Sequence, residues 1–149
     1  MRTHDGYEID DDRDRLDLDV IWSFLSTEAY WARWRTRPDV AGQLASAWRV
    51  VGAYTSTGEQ VGLARAWSDG VTSAYLGDVF IVPEHRGRGL GVAVIEEMID
   101  NGPGAHLRWM LHTADAHALY ARFGFAPPDH KYLERQRDHV SELRQSRDS

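Results

Sequence analysis

The chain has 149 residues, 42 % of them hydrophobic, with 17 Lys+Arg against 23 Asp+Glu and a formal net charge of −6. That length fits one domain with a real core, and the acidic balance argues against nucleic acid, whose binders carry a basic face. Cysteine is absent, which excludes disulfides, thiolate metal ligands and a cysteine nucleophile and suits a reducing compartment. No apolar run is long enough to span a bilayer, and the charged stretch Met1–Asp19 has no signal-peptide core. The expectation is a cytoplasmic protein with no membrane partner. Its acidic field favours solubility and would draw in a cationic substrate.

In chain order, Tyr7–Asp12 reads as a short first strand. Leu16, Leu18, Val20, Ile21, Phe24 and Leu25 lead into a helix that ends near Ser26–Thr27. A second helix is predicted from Pro38 to about Trp48, with Pro38 in its first turn. Trp48–Tyr54 and Val61–Trp67 form a hairpin around the Thr57–Gly58 turn. Thr72–Val82, rich in aromatic and β-branched residues, is the longest strand, with Asp78 alternating with Leu76 and Phe80 on one face. After the loop Pro83–Gly91, a helix carries Val92, Ile95, Met98 and Ile99 on its apolar side, and Asn101–Gly104 stops it. His106–Leu111 is another strand. A helix over Ala114–Phe123, N-capped by Thr113 and closed by Gly124, precedes an extended segment from Phe125. The order implies a mixed α/β (α+β) domain on one twisted sheet, over residues 1–132. Residues 133–149 read as a charged tail, helical or disordered.

The segment Asp78–Gly91 runs a strand into a glycine-rich loop that opens a helix. Gly87, Gly89 and Gly91 let the backbone turn tightly and approach a ligand. Their N–H groups, with those of Arg88 and Leu90, can converge on an anion at the positive end of the helix dipole. Arg86 and Arg88 can add charge-assisted hydrogen bonds. This is chemistry for a pyrophosphate. It is not the dinucleotide fingerprint, because the sixth place from Gly87 or Gly89 is Val92 or Val94, and no Gly-Lys-Ser/Thr follows to make a P-loop.

Arg86-x-x-Gly89-x-Gly91 resembles the acyl-CoA signature of the GNAT superfamily of N-acetyltransferases, with Gly87 matching its Arg-Gly-x-Gly-x-Gly form and Val82-Pro83-Glu84 its usual lead-in. Downstream, Ala116, Leu119, Tyr120, Gly124 and Phe125 match the family's second signature, Ala-x-x-Leu-Tyr-x-x-x-Gly-Phe. The likeness is strongest from Val61 to Phe125. Tyr30-Trp31, Gly77-Asp78-Val79-Phe80 and Asp115-Ala116-His117 look like a group of small bacterial members. The resemblance implies a central, twisted, mostly antiparallel sheet with helices on both faces, acetyl-CoA as cosubstrate, no metal, and direct transfer of the acetyl group to an amine, here read as a small molecule. It also implies pairing as a homodimer. The other readings are a non-catalytic acyl-CoA sensor and a protein or peptide acetyltransferase.

By the same resemblance, Arg86, Gly87, Arg88, Gly89, Leu90 and Gly91 hold the coenzyme's pyrophosphate. The backbone of Phe80, Ile81 and Val82 pairs with the pantetheine amides. Thr113 stands where the family often has Asn, and Ala116 leaves open space for the pantetheine arm. Tyr120, protonated at neutral pH, suits a general acid for the departing thiolate. Asp78 is the candidate general base and acceptor contact, or else a paired structural acid. Tyr30 and Trp31, with Trp34, are candidates for an aromatic acceptor wall, or for ordinary helix packing. His112 and His117 read as proton relays or as surface and capping histidines, and their spacing is a poor metal signal.

Overall fold

The structure, a computed structural model, describes residues 1–29 and 35–135. The chain divides into two compact units, Met1–His112 and Thr113–Ser149. The first is built on a six-stranded sheet in sequence order: β1 (Arg2–His4), β2 (Tyr7–Asp10), β3 (Arg49–Tyr54), β4 (Gln60–Ser68), β5 (Ser73–Ile81) and β6 (Arg108–Met110). All neighbours are antiparallel except β5 and β6. The sequence reading missed β1, although Asp5-Gly6 is a strong two-residue hairpin signal. Both residues have left-handed φ, 48° and 81°, as a primed turn requires.

Helices α1 (Leu18–Thr27) and α2 (Arg37–Ser46) precede β3. Asp17 caps α1 by accepting from the N–H groups of Asp19 and Val20, and Thr36 with Asp39 forms a full capping box on α2. Their apolar sides, Ile21, Phe24, Leu25, Val40 and Leu44, pack on Val50, Leu63 and Phe80 of the sheet. The Phe24 and Phe80 rings stack at 4.0 Å. Helix α3 (Leu90–Met98) packs on β3, β4 and β5. Arg49, which alternates to the opposite side of β3 from Val50, donates to the carbonyls of Glu97 and Met98 and so closes the end of α3.

Strand β3 also carries a flattened aromatic. The ring of Tyr54 lies against Gly52, where an added Cβ would stand 2.6 Å from Tyr54 Cζ. The guanidinium of Arg15 sits 4.0 Å from the centre of that ring. Burial pushes the phenol up to about 12.

Strand β5 does not keep the simple alternation expected of it. Phe80 lies opposite Leu63 and Gly77 opposite Arg65, so Asp78 and Val79 together face Ala64. This is a β-bulge, and Asp78 takes its left-handed position at φ 55°. The extra residue reverses the phase of the strand. Leu76, opposite Ala66, therefore faces away from Phe80, while Gly77 and Tyr75 share the α1/α2 side with Phe80. Asp78 itself is a paired acid. Arg35 donates from Nη2 to Oδ1 at 2.6 Å and from Nη1 to Oδ2 at 2.8 Å, and Arg65 Nε donates to Oδ2 at 2.8 Å. Gln43 Oε1 accepts from Arg35 at 2.6 Å. Burial alone would raise this carboxyl, but the hydrogen bonds and charges of Arg35 and Arg65 outweigh it and hold it below its usual range.

In the second unit, the helix expected over Ala114–Phe123 is shorter: α4 spans His117–Ala121. Thr113 Oγ1 accepts the N–H of Ala116 at 3.1 Å, making a turn ahead of the helix. Ala116, at φ −118° and ψ 25°, is not yet helical. Past Ala121 the chain tightens into three-residue bonds, such as Gly124 N–H to the Ala121 carbonyl at 3.1 Å, and Gly124 closes it at φ 87°. Among the described residues no strand follows. The tail from residue 136 lies outside the described residues.

Two stability outcomes are expected. Gly52→Ala should lower the urea midpoint, at about 1–3 kcal/mol, because Tyr54 must leave its seat. Asp78→Asn strands two guanidiniums and should cost about 3–5 kcal/mol at pH 7. A carboxyl depressed by folding stabilises above its unfolded value, near pH 4, and loses that contribution as pH falls through the lower folded value. The gap between wild type and Asp78→Asn should therefore hold from pH 7 to about 5 and narrow below about pH 4, as urea titrations at each pH would read.

Candidate active site

Past β5, Pro83–His85 makes a short 3-10 turn. Arg86 then folds back, its Nε donating to the Ile81 carbonyl at 2.9 Å, which ties the loop to the end of the strand. Gly87 and Gly89 take left-handed φ of 78° and 76°. Gly89 is the N-cap of α3 and supplies no capping side chain. The first bond into the helix is Ala93 N–H to the Gly89 carbonyl at 3.1 Å. The N–H groups of Leu90, Gly91 and Val92 thus lie in the first turn without intrahelical acceptors, at the positive end of the dipole. A Cβ at Gly87 or Gly91 would meet nothing within 4 Å. The loop from Arg86 to Gly89 is exposed. An uncapped first turn under open space is chemically suited to an oxyanion.

The N-terminal hairpin fixes this loop, which the sequence reading did not foresee. His4 Nε2 hydrogen-bonds the Arg88 carbonyl at 2.8 Å, and Tyr7 Oη hydrogen-bonds His85 Nδ1 at 2.7 Å. A Cβ on Gly89 would stand 3.1 Å from His4 Nε2. Only the missed strand β1 could have signalled His4's part.

The end of β5 leads directly into the loop. Strand β6 pairs with β5 only from Ser73 to Tyr75. From Gly77 to Ile81, no strand among the described residues lies along that edge. Phe80 turns its ring into the core, so Phe80, Ile81 and Val82 offer backbone rather than side chain there. Leu90 is buried and contributes its N–H alone. Arg86, Gly87, Arg88, Gly89, Leu90 and Gly91 therefore form one continuous segment with Phe80–Val82, and Asp78 lies two residues before Phe80. His112 hydrogen-bonds Tyr75 Oη through Nδ1.

In the second unit, Tyr120 lies on α4 with 8 % of its surface exposed, its ring edge-on to Phe125 at 5.7 Å. Thr113, Ala116 and Tyr120 share that unit. His117 Nε2 hydrogen-bonds the Thr113 carbonyl at 3.0 Å, as a local cap. Tyr30, Trp31 and Trp34 lie outside the described residues. Among the described residues, no group of three His, Cys, Asp or Glu side chains could hold a metal, and no helix is long and apolar enough to cross a membrane.

Comparison with known proteins bears on the same segments. The model of the acetyltransferase (GNAT) domain matches residues 46–127. A Gibberella zeae protein named "Putative acetyltransferase" is 34 % identical over 111 residues, 72 % of this chain, and the match spans 60 % of the length of that relative. A crystal structure from Xanthomonas campestris pv. campestris, described as a "putative acetyltransferase belonging to the gnat family", superposes at a TM-score of 0.83 with 36 % identity, over 90 % of this chain and 95 % of that one. At 14 % identity, a Clostridium acetobutylicum acetyltransferase structure with acetyl-CoA shares the fold at a TM-score of 0.63, over 87 % of this chain and 94 % of that one. The matched domain covers more than half of the sequence and contains the glycine loop, β5 and α4, and the chain belongs to the GNAT acetyltransferase family.

Proposed function

We propose that this protein is an N-acetyltransferase that takes the acetyl group from acetyl-CoA and gives it to the amine of a small molecule. The observation that carries the reading is the uncapped first turn of α3, entered through two left-handed glycines at the end of a strand with an open edge. Acetyl-CoA brings a thioester whose acetyl carbon is open to attack by an amine. The Clostridium acetobutylicum relative with acetyl-CoA supports this choice of cosubstrate.

The protein's own groups divide the work. The loop N–H groups from Gly87 to Gly91, with the guanidiniums of Arg86 and Arg88, bind the pyrophosphate as an anion. The backbone of Phe80–Val82, beyond the β5–β6 pairing, meets the pantetheine amides. Thr113 and Ala116 border the arm. Tyr120 holds a phenolic proton for the departing thiolate. Asp78 acts by position. Its carboxylate is engaged by two guanidiniums and held below its usual range, which makes it a poor proton acceptor but a firm anchor for the strand. No covalent intermediate on the protein is required, in keeping with the absence of cysteine.

Calorimetric titration with acetyl-CoA, followed by thiol release over a panel of amines, tests the reading. Saturable binding with amine-dependent release is the expected result; binding with no release from any amine would leave a sensor, and absence of binding would remove the reading. Gly89→Glu places a carboxylate on the anion site and against His4, and should abolish acetyl-CoA binding in the same titration. Tyr120→Phe should lower kcat by about 10²-fold or more while changing the Kd for acetyl-CoA little.

A further inference from the structure

The segment Gly87-Arg88-Gly89 has two backbone arrangements open to it, and its own residues do not choose between them. Glycine takes positive and negative φ about equally, and Arg88 stands between two glycines at φ 78° and 76°. In a trans peptide the carbonyl and the N–H point in opposite directions. Turning the Arg88–Gly89 peptide over exchanges those directions and carries φ of Gly89 to the negative side. A given side of the loop is therefore met either by an N–H or by a carbonyl oxygen.

The N-terminal hairpin decides which. His4 and Tyr7 face each other across the Asp5–Gly6 turn, which puts both side chains on one face of the hairpin. Tyr7 Oη meets His85 at the start of the loop, and Arg86 Nε ties the next residue to Ile81. Neither bond touches the peptide between the glycines. His4 does: its Nε2 lies 2.8 Å from the Arg88 carbonyl oxygen, and since a carbonyl only accepts, Nε2 carries the hydrogen. The Gly89 N–H is thereby turned away from His4. Among the described residues it meets no backbone acceptor. Gly89 is the N-cap of α3, so this N–H stands beside those of the uncapped first turn. The imidazole also occupies the space in which a side chain at 89 would begin, 3.1 Å from the place of its Cβ.

We propose that His4 is a positioning residue for the cosubstrate: it holds the Arg88 carbonyl to the hairpin and so aims the Gly89 N–H at the pyrophosphate. Anion cradles of this kind need consecutive N–H groups turned inward. Without the His4 donor the peptide divides its time between two orientations, one of which sets a carbonyl oxygen against the anion. Affinity then falls by the fraction of chains in the competent orientation. The inference rests on the acetyltransferase reading and adds to the coenzyme site a residue from outside the matched domain, 46–127.

Calorimetric titration of the full chain with acetyl-CoA tests it. His4→Ala should raise the Kd about tenfold, the effect of one hydrogen bond to a charged group. His4→Gln, whose amide also donates, should recover most of that loss. Tyr7→Phe removes the other bond between hairpin and loop and should change the Kd little. In the amide NMR spectrum of the wild type, saturating acetyl-CoA should move the Gly89 proton strongly downfield, as a new hydrogen bond to phosphate does. An unmoved Gly89 proton overturns the proposal whether or not the variants fold. An unchanged Kd in His4→Ala, or a Kd in His4→Gln as weak as in His4→Ala, overturns the role of the donor. Tyr7→Phe as damaging as His4→Ala overturns the choice of peptide orientation in favour of general docking of the hairpin. In all three cases the acetyltransferase reading stands; absence of acetyl-CoA binding by the wild type overturns that reading and this inference with it.

Discussion

A single carboxylate held between two guanidiniums organises this molecule. Asp78 occupies a left-handed backbone position that a residue with a Cβ seldom adopts. Aspartate is among the few side chains that tolerate it, and here the fork from Arg35 and the Nε of Arg65 hold it in place. The strain is local, and the ion pairs that offset it come from distant parts of the chain. Arg35 precedes α2 and Arg65 belongs to β4, so the bulge forms only when helix layer and sheet are both in place. In return the bulge rephases β5, turning Phe80 into the core under α1 while Gly77 and Tyr75 keep to the same face. A strand without it, in register from Phe80, would put Asp78 where Gly77 now lies and Leu76 where Tyr75 lies.

The bulge and the open edge of β5 serve the same end. Sheets normally satisfy the backbone of an interior strand on both sides. Among the described residues β6 pairs with β5 over three residues only, and the stretch beyond runs into the glycine loop. The end of the strand is thereby continuous with a helix N-terminus.

Much of this was legible beforehand. The passage from strand through glycine loop to helix could be read because it depends on local order, glycines in a turn between two periodic segments. The order of elements followed from period and turn residues for the same reason. The phase of β5 could not be read, since a single inserted residue leaves no trace in composition and alternation was the simpler pattern. The pairing of Asp78 was open for a related reason; its partners lie 43 and 13 residues away, and no local rule selects them. Strand β1 is a different case. Asp5-Gly6 carried the signal, but the three charged or polar residues Arg2–His4 lack the apolar alternation that marks a strand. The helix before Tyr120 was overextended because a threonine that caps a turn looks, in sequence, like one that caps a helix.

The contact between His4 and Arg88 spans 84 residues and ties β1 to the glycine loop. Such a contact carries a high loop-closure cost and forms late. The helices and the β3–β4 hairpin rest on nearer contacts and can form early, whereas the glycine loop gains its His4 contact only once β1 has paired. A chain with β1 unpaired would retain most of its core and still hold that loop loosely.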